Sequence, residues 1–292
     1  MKIGILSRKL SLYSTTKLVE AINKRGHQSI VLDYTKCVSI IEKNVPVIYY
    51  GDETIKVDAI IPRIGASVTL FGSSIIRQFE NMDVFTTCSS LSLIKSRDKL
   101  RCLQILSKHG IDIPKTAFAY HPKDIEKIIE MLGGPPLIIK LLEGTQGIGV
   151  VLAETKKAIL SVIQAFHGLK ANILIQEYIK ESNGNDIRIF VVNDEVIGAI
   201  KRIGNKEDFR SNLHRGGTAE SIILTEEEKE IAIISSKAIG LKIAGIDIIQ
   251  SNRGPLVMEI NSSPSLRGIE TTTGINVANK IIEFIEKNKN IL

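Results

Sequence analysis

Short apolar runs alternate with amphipathic segments over the first 95 residues. KIGILS, SIVLD and AIIPRIG are apolar runs of strand length. Between the first two, TTKLVEAINKRG has apolar residues at helical spacing and ends at Gly26, where a left-handed cap is expected. Strands that alternate with helices predict a parallel, Rossmann-like sheet. No G-x-G-x-x-G follows the first strand, so nothing indicates a dinucleotide site there.

The pattern changes after residue 95, where hairpins become frequent. PLIIKLL and VVLAE flank a glycine loop, DIRIFVV and EVIGAIKRI flank the turn Asn193-Asp194, and AGIDIIQ and PLVMEIN form a last hairpin. Ser96 is the expected N-cap of the first helix of this region. Helices are predicted at 96–110, 123–132, 155–168, 225–240 and from 276 onward. The expected fold class is therefore α/β followed by α+β, in three units at 1–95, 96–175 and 176–292.

Composition narrows the class of protein. The 292 residues carry 38 basic and 32 acidic side chains, and the first 100 hold 14 and 9 of them, so the positive excess lies in the first third. Such a surface favours acidic partners, but without a Lys/Arg run or interleaved aromatics it does not predict sequence-specific nucleic-acid binding. Three cysteines without a C-x-x-C argue against disulfides and zinc. No apolar run suits a signal peptide or a membrane span, which predicts a cytoplasmic protein.

Candidate phosphate ligands lie around the glycine loop. Gly144, Gly147 and Gly149 lie between two strands rather than before a helix, which excludes a Walker A loop but allows a loop that folds over phosphates. A plain hairpin turn is the alternative. Lys140 interrupts the apolar run PLIIKLL, where a charge is costly unless it meets an anion. An edge strand with its lysine turned outward is the alternative for Lys140.

The last hairpin carries candidate metal ligands. Glu259 and Asn261 leave the same face of one strand, and Asp247 lies in the partner strand. A register that places Asp247 opposite Glu259, about 5 Å apart between Cβ atoms, requires an odd-numbered loop around 251–255. Two carboxylates and an amide oxygen suit Mg²⁺ or Mn²⁺, and a solvent-facing polar stripe is the alternative. The loop 208–217, with Arg210 and His214, and Arg188 in DIRIF supply further cations, although His214 is not expected to be catalytic.

Seven segments in this order resemble the ATP-grasp ligases, and specifically the RimK family of ribosomal-protein glutamate ligases. They are SRDKL, IIKLLEGTQGIGVVLAE, QEYIKE, DIRIFVV, DFRSNLHRGG, AGIDI and VMEINSSP. The resemblance covers nearly the whole chain. It implies a Rossmann-like pre-ATP-grasp domain followed by a two-subdomain ATP-grasp fold.

The resemblance also implies site residues. ATP would lie between the second and third units. Its adenine would contact Glu177 and Tyr178, and its ribose would contact Asp186. Its phosphates would contact Lys99, Lys140, the glycine loop, Arg210, Ser211 and Asn212. Two Mg²⁺ or Mn²⁺ ions would be held by Asp247, Glu259 and Asn261, and the catalytic candidates are Arg188, Arg210 and Asn212.

The implied reaction is ATP-dependent ligation of L-glutamate to the acidic C-terminus of a small-subunit ribosomal protein through an acyl phosphate. The resemblance also implies a homo-oligomer, with a tetramer expected. An alternative within the superfamily is glutamate ligation to a coenzyme or to an amino-acid-biosynthesis acceptor, and a non-catalytic nucleotide-binding regulator is a third possibility. Arg267 stands where the family pattern has glutamate, a difference that bears on acceptor recognition or on the length of the added chain.

Overall fold

A computed structural model of the chain describes residues 1–118, 125–142, 149–204 and 217–289. The strands of these residues are β1 Lys2–Leu6, β2 Gln28–Leu32, β3 Cys37–Glu42, β4 Val45–Tyr50, β5 Glu53–Thr54, β6 Ala59–Pro62, β7 Phe85–Thr86, β8 Thr116–Phe118, β9 Leu137–Leu141, β10 Val150–Ala153, β11 Ile173–Glu177, β12 Asp186–Val192, β13 Glu195–Ile203, β14 Thr218–Ser221, β15 Ile243–Ser251 and β16 Gly254–Asn261. The helices are α1 Tyr13–Lys24, α2 Thr69–Asn81, α3 Ser90–Arg97, α4 Lys99–Lys108, α5 Ile125–Met131, α6 Lys156–Gly168, α7 Glu226–Ile239, α8 Leu266–Thr273 and α9 Val277–Asn288. No helix of the described ranges is long and apolar enough to cross a membrane.

The first sheet is parallel and has the order β2-β1-β6-β7. The three predicted strands and the helix that ends before Gly26 are confirmed, and Gly26 has a φ of 77°. The pattern of alternation did not predict α2 or the small antiparallel sheet β3-β4-β5 between β2 and β6. Gln78 on α2 donates hydrogen bonds to the carbonyls of Ile40 and Val47, which hold the small sheet on this helix.

The second sheet is antiparallel with the order β10-β9-β11-β8. Helices α5 and α6 cover one face through a core that includes Ile139, Ile159 and Ile175. Leu174, whose side chain leaves the other face, joins the core shared by the first and third sheets. The second sheet therefore presents one face to its own helices and the other to the rest of the molecule.

The third sheet, β14-β13-β12-β15-β16, is covered on both faces. Alternate residues of β12 distinguish the faces: Ile189 packs in the core beneath α7, whereas Phe190 packs in the core formed with α8 and α9. Helix α9 also packs against α1, and Phe284 contacts Phe85 with ring centroids 5.8 Å apart. The first and third sheets thus share both hydrophobic cores.

The predicted helix at 96–110 differs from the structure at its start. Two helices meet at Asp98, whose carboxylate accepts a hydrogen bond of 3.0 Å from the amide of Arg101 and caps α4. Ser96 is not the N-cap, because it lies inside α3 and donates to the carbonyl of Leu93. The remaining predicted helices are found within the described residues, and the cap at Thr225 is reinforced by Glu228 in a capping box.

Candidate active site

The last hairpin brings two carboxylates together. Asp247 on β15 lies opposite Glu259 on β16, as predicted, but the predicted odd-numbered loop is wrong. The turn between Ser251 and Gly254 has two residues, and a bulge between Val257 and Glu259 adds one residue to β16. Without that bulge Asp247 would face Met258, and Glu259 would point to the opposite side of the sheet.

Asp247 is buried and held by two arginines from neighbouring strands. Arg188 on β12 binds both of its oxygens, with Nε–Oδ1 at 2.6 Å and Nη2–Oδ2 at 2.5 Å. Arg202 on β13 lies 2.9 Å from Oδ2 of Asp247 and makes a two-fold contact with Asp186, at 2.6 and 2.5 Å. Four charged side chains therefore form a compensated network under this face of the sheet.

Opposing effects set the charge states in this network. Burial by itself raises the pKa of Asp247, but Arg188 and Arg202 lower it below its ordinary value. Burial lowers the pKa of Arg202, and the stronger attraction of Asp247 and Asp186 raises it overall. Asp247 is therefore ionised at neutral pH, as a metal ligand must be.

Glu259 and Asn261 complete the oxygen donors of the hairpin. Glu259 is exposed, and Asn261 places its amide nitrogen 3.4 Å from Oδ2 of Asp247. A 180° turn of that amide would present its oxygen instead. Carboxylate and amide oxygens fit a hard divalent cation. Within the described ranges no group of three or more His, Cys, Asp or Glu side chains could hold a metal, so this set has only two carboxylates.

Lys140 approaches the same carboxylates from the second sheet. Its strand β9 pairs with both β10 and β11, so the alternative of an edge-strand lysine does not hold. Burial lowers the pKa of Lys140, nearby Lys99 lowers it further, and the charges of Glu259 and Asp247 oppose the shift. Lys140 and the two carboxylates, which lie on different sheets, are therefore electrostatic neighbours.

Lys99 joins this group from the start of α4. Its Nζ donates a hydrogen bond of 2.7 Å to the carbonyl of Leu142, just after β9. Burial lowers the pKa of Lys99, Glu259 opposes this, and Arg97 reinforces it. Two partly buried lysines beside two carboxylates form a site that can bind a metal together with polyphosphate.

Glu177 and Tyr178 lie where β11 ends. Oε1 of Glu177 accepts a hydrogen bond of 2.6 Å from the amide of Lys115 and also contacts Arg253 in the β15–β16 turn. Glu177 thus links the second and third sheets. Tyr178 follows it and is partly buried, and the adenine role of the two residues stays a prediction.

Several predicted site residues lie outside the described part of the chain. They are Gly144, Gly147, Arg210, Ser211 and Asn212, together with His214. Gly149 is described and adopts a φ of 74°, and a Cβ there would lie 2.5 Å from Cδ1 of Leu141. This position therefore requires glycine on both conformational and steric grounds.

Arg202 was not identified from the sequence. It follows Lys201 in AIKRI, and the alternation of the strand alone does not tell which of the two faces Asp186. A two-residue turn alone would pair Asp186 with Lys201, whereas a bulge next to Val191 pairs it with Arg202. Arg267, which departs from the family pattern, lies with its guanidinium carbon 5.3 Å from the ring centre of Tyr13.

Comparison with known proteins supports one family over the whole chain. A model described as a RimK PreATP-grasp domain matches residues 1–93, and one described as a RimK-like ATP-grasp domain matches residues 96–285. A probable alpha-L-glutamate ligase of Trichodesmium erythraeum is 58% identical over 289 residues, which cover 99% of this chain and 97% of that protein. A probable alpha-L-glutamate ligase of Vibrio cholerae serotype O1 is 56% identical over 289 residues, which cover 99% of this chain and 96% of that protein.

A solved structure has the same fold. The ATP-grasp ligase PsnB, complexed with its minimal precursor, Mg and ADP, matches with a TM-score of 0.76 and 18% identity, over 99% of this chain and 98% of that one. The expected fold class, a pre-ATP-grasp domain followed by an ATP-grasp domain, is confirmed.

Proposed function

We propose a function from one premise: the chain belongs to the RimK-like ATP-grasp family and is an ATP-dependent ligase. It adds L-glutamate to the C-terminal carboxylate of a small-subunit ribosomal protein. The observation that carries the proposal is the convergence of Asp247 and Glu259 with Lys99 and Lys140. The names of relatives at 56–58% identity support glutamate as the amino acid.

Each site residue has a proposed role. Asp247, Glu259 and Asn261 would hold two Mg²⁺ or Mn²⁺ ions, which would neutralise phosphate charge. The roles that the resemblance implied are kept as proposals. Glu177 and Tyr178 would contact the adenine of ATP, and Asp186 would contact its ribose. The residues that would contact the phosphates are Lys99, Lys140, Gly144, Gly147, Gly149, Arg210, Ser211 and Asn212. Arg188 contacts Asp247, so we assign it to positioning that carboxylate.

The reaction consists of two nucleophilic substitution steps. An oxygen of the acceptor carboxylate attacks the γ-phosphorus of ATP, the bond to the β–γ bridging oxygen breaks, and ADP leaves with that electron pair. The amino group of glutamate then attacks the acyl carbon, phosphate leaves with the acyl oxygen, and the amine loses a proton as the amide forms. Lys99 and Lys140 would stabilise the negative charge that the phosphate oxygens carry. A closing loop over the site would keep water from the acyl phosphate.

The acceptor is the finer part of the proposal. PsnB is also known in complex with the precursor peptide PsnA2, which supports a peptide acceptor. The basic excess of the first 100 residues, 14 against 9 acidic side chains, favours an acidic tail that becomes more acidic with each glutamate added. The second candidate is a coenzyme or amino-acid precursor as acceptor. A cytoplasmic location, a homo-tetramer and the unit boundaries at 95 and 175 belong to the same proposal.

Intact-mass spectrometry tests the proposal. An acidic-tailed small-subunit ribosomal protein is incubated with the enzyme, ATP, Mg²⁺ and glutamate, and a variant lacking its C-terminal tail serves as the matched control acceptor. We expect mass increments of one glutamyl residue each on the tailed protein alone. If this protein gains no mass, but ADP is released when coenzyme or amino-acid precursors are offered as acceptors, the assignment moves to the second candidate.

A further inference from the structure

Two arginines near the candidate site differ from those of the third sheet in having no acidic partner among the residues that the structure describes. Arg63 follows β6 directly, and Arg97 is the last residue of α3. Across the described ranges no Asp or Glu lies within ion-pair distance of either guanidinium, whereas Arg188 and Arg202 each contact a buried aspartate. Within the described part of the chain, neither charge is therefore neutralised by an ion pair.

Arg63 lies where parallel sheets commonly bind ligands. The first sheet runs β2-β1-β6-β7, so the chain leaves β1 in one direction and returns to β6 on its other side. Ligands of open parallel sheets bind at the carboxyl ends of the strands on either side of such a reversal. Arg63 follows β6 at this place, and Arg8 follows β1 two residues after its end.

A hydrogen bond joins Arg97 to the loop that follows Arg63. Nη2 of Arg97 donates a hydrogen bond of 2.8 Å to the carbonyl of Ile64, and its buried Nε has no hydrogen-bond partner among the described residues. Nη2 of Arg8 lies 3.6 Å from the position that a Cβ of Gly65 would occupy. The guanidinium of Arg8 therefore lies beside the loop after β6.

Burying neighbouring cations is costly without an anion. Burial lowers the pKa of Arg63 to about 10, and the charge of Arg97 contributes to the shift. Burial also lowers the pKa of Arg97, which the charge of Glu259 partly offsets. Arg97 is thus an electrostatic neighbour of the candidate metal ligand Glu259, and Arg63 is a neighbour of Arg97.

We propose that Arg63 and Arg97 form a subsite for a carboxylate of a substrate, a role that rests on the proposed function. Planar guanidinium groups bind carboxylates through paired, charge-assisted hydrogen bonds. Arg63 lies in the first unit and Arg97 at the start of the second, where Glu259 and Lys99 are its electrostatic neighbours. The carboxylate comes either from free glutamate or from the acidic acceptor.

Direct binding tests the subsite without turnover. Calorimetry with ADP and Mg²⁺ present would measure the affinity of the full chain for L-glutamate and, separately, for a tri-glutamate peptide. The variants are Arg63→Gln, Arg97→Gln and Arg97→Lys, and Arg77→Gln on the exposed side of α2 is the matched control. Loss of the paired hydrogen bonds should weaken one probe roughly ten- to hundredfold, with Arg97→Lys also impaired because lysine lacks the planar fork.

The melting temperature separates recognition from structure. Replacing Arg63 removes an uncompensated charge, so Arg63→Gln without ligands should melt no lower than Arg77→Gln. If the variants bind only L-glutamate more weakly, the subsite holds the amino-acid substrate. If they bind only the peptide more weakly, the subsite holds the acceptor. Unchanged affinities for both probes, no binding by the unaltered protein, or weaker ATP binding alone would overturn the subsite. Absence of glutamyl increments in the mass assay instead refutes the proposed function.

Discussion

Replacing Arg202 by methionine would test the charge network beneath the candidate site. The Arg202 side chain is 6% exposed and bridges Asp186, also 6% exposed, and Asp247, 4% exposed. Asp247 keeps Arg188, but Asp186 loses its ion-pair partner within the described residues. Removing one member of a buried pair costs about 3–5 kcal/mol, because the remaining charge stays desolvated. At about 2–4 °C per kcal/mol, the melting temperature should fall by roughly 6–20 °C.

The neighbouring lysine provides the matched control. Lys201 lies on the same strand, is 38% exposed and is 3.6 Å from Glu220. An exposed pair of this kind contributes at most about 1 kcal/mol, so Lys201→Met should shift the melting temperature by only a few degrees. Adding Asp186→Asn to Arg202→Met should restore part of the loss, because the second change removes the uncompensated carboxylate.

The loss should also depend on pH in a defined direction. The pKa of Asp247 is lowered in the folded protein, so its stabilising effect is present above the unfolded value of about 3.9 and is lost as the pH falls through the folded value. Without Arg202, burial of Asp247 is less well opposed and its pKa rises. The gap between Arg202→Met and the unaltered protein should therefore be widest near pH 7 and narrow toward pH 4. Circular dichroism melts at several pH values measure it. A variant as stable as Lys201→Met at pH 7, or a gap that widens in acid, would refute the reasoning.

Three further predictions follow from the site and the buried thiols. Glu259→Gln should lower ADP release by at least about a hundredfold with an unchanged melting temperature, because it removes a charged ligand from an exposed position; normal turnover would contradict the metal role. Lys140→Ala should weaken ATP binding about tenfold or more by calorimetry, while Lys157→Ala on the exposed face of α6 should not, and equal affinities would remove Lys140 from the phosphate site. Burial raises the pKa of Cys88 and of Cys102 to about 12, so iodoacetamide at pH 8 should modify neither thiol until urea is added, and mass spectrometry of the native protein would reveal any exception.

The sequence predicted elements that depend on local chemistry. Gly26 ends α1 in the left-handed region, and Asn193-Asp194 forms a hairpin turn with positive φ at both residues. These residue types fit backbone conformations that others avoid, so their position alone is informative. Ser96 was misassigned because serine and aspartate both cap helices, and the choice of Asp98 depends on where α3 ends.

Contacts between distant segments were less predictable. Lys140 was recognised as a charge inside an apolar strand, but its neighbours Lys99 and Glu259 come from other elements. The interaction of Arg97 with Ile64 joins residues 33 apart in the chain, and no periodicity relates them. The order of the motifs was enough to identify the family. Which cations have an acidic partner could be seen only in the folded structure.

The two bulges explain why the site is only partly readable from the sequence. Both hairpins close with two-residue turns, after Val192 and after Ser251, and each ladder then gains one residue before its charged pair. Because side chains alternate with a period of two, one extra residue exchanges the faces of everything beyond it. In β13 the extra residue brings Arg202 rather than Lys201 opposite Asp186, and in β16 it brings Glu259 opposite Asp247. A turn can be recognised from its residue types, but a bulge without glycine leaves no comparable mark, so the correct partner of Asp247 was predicted with an incorrect loop.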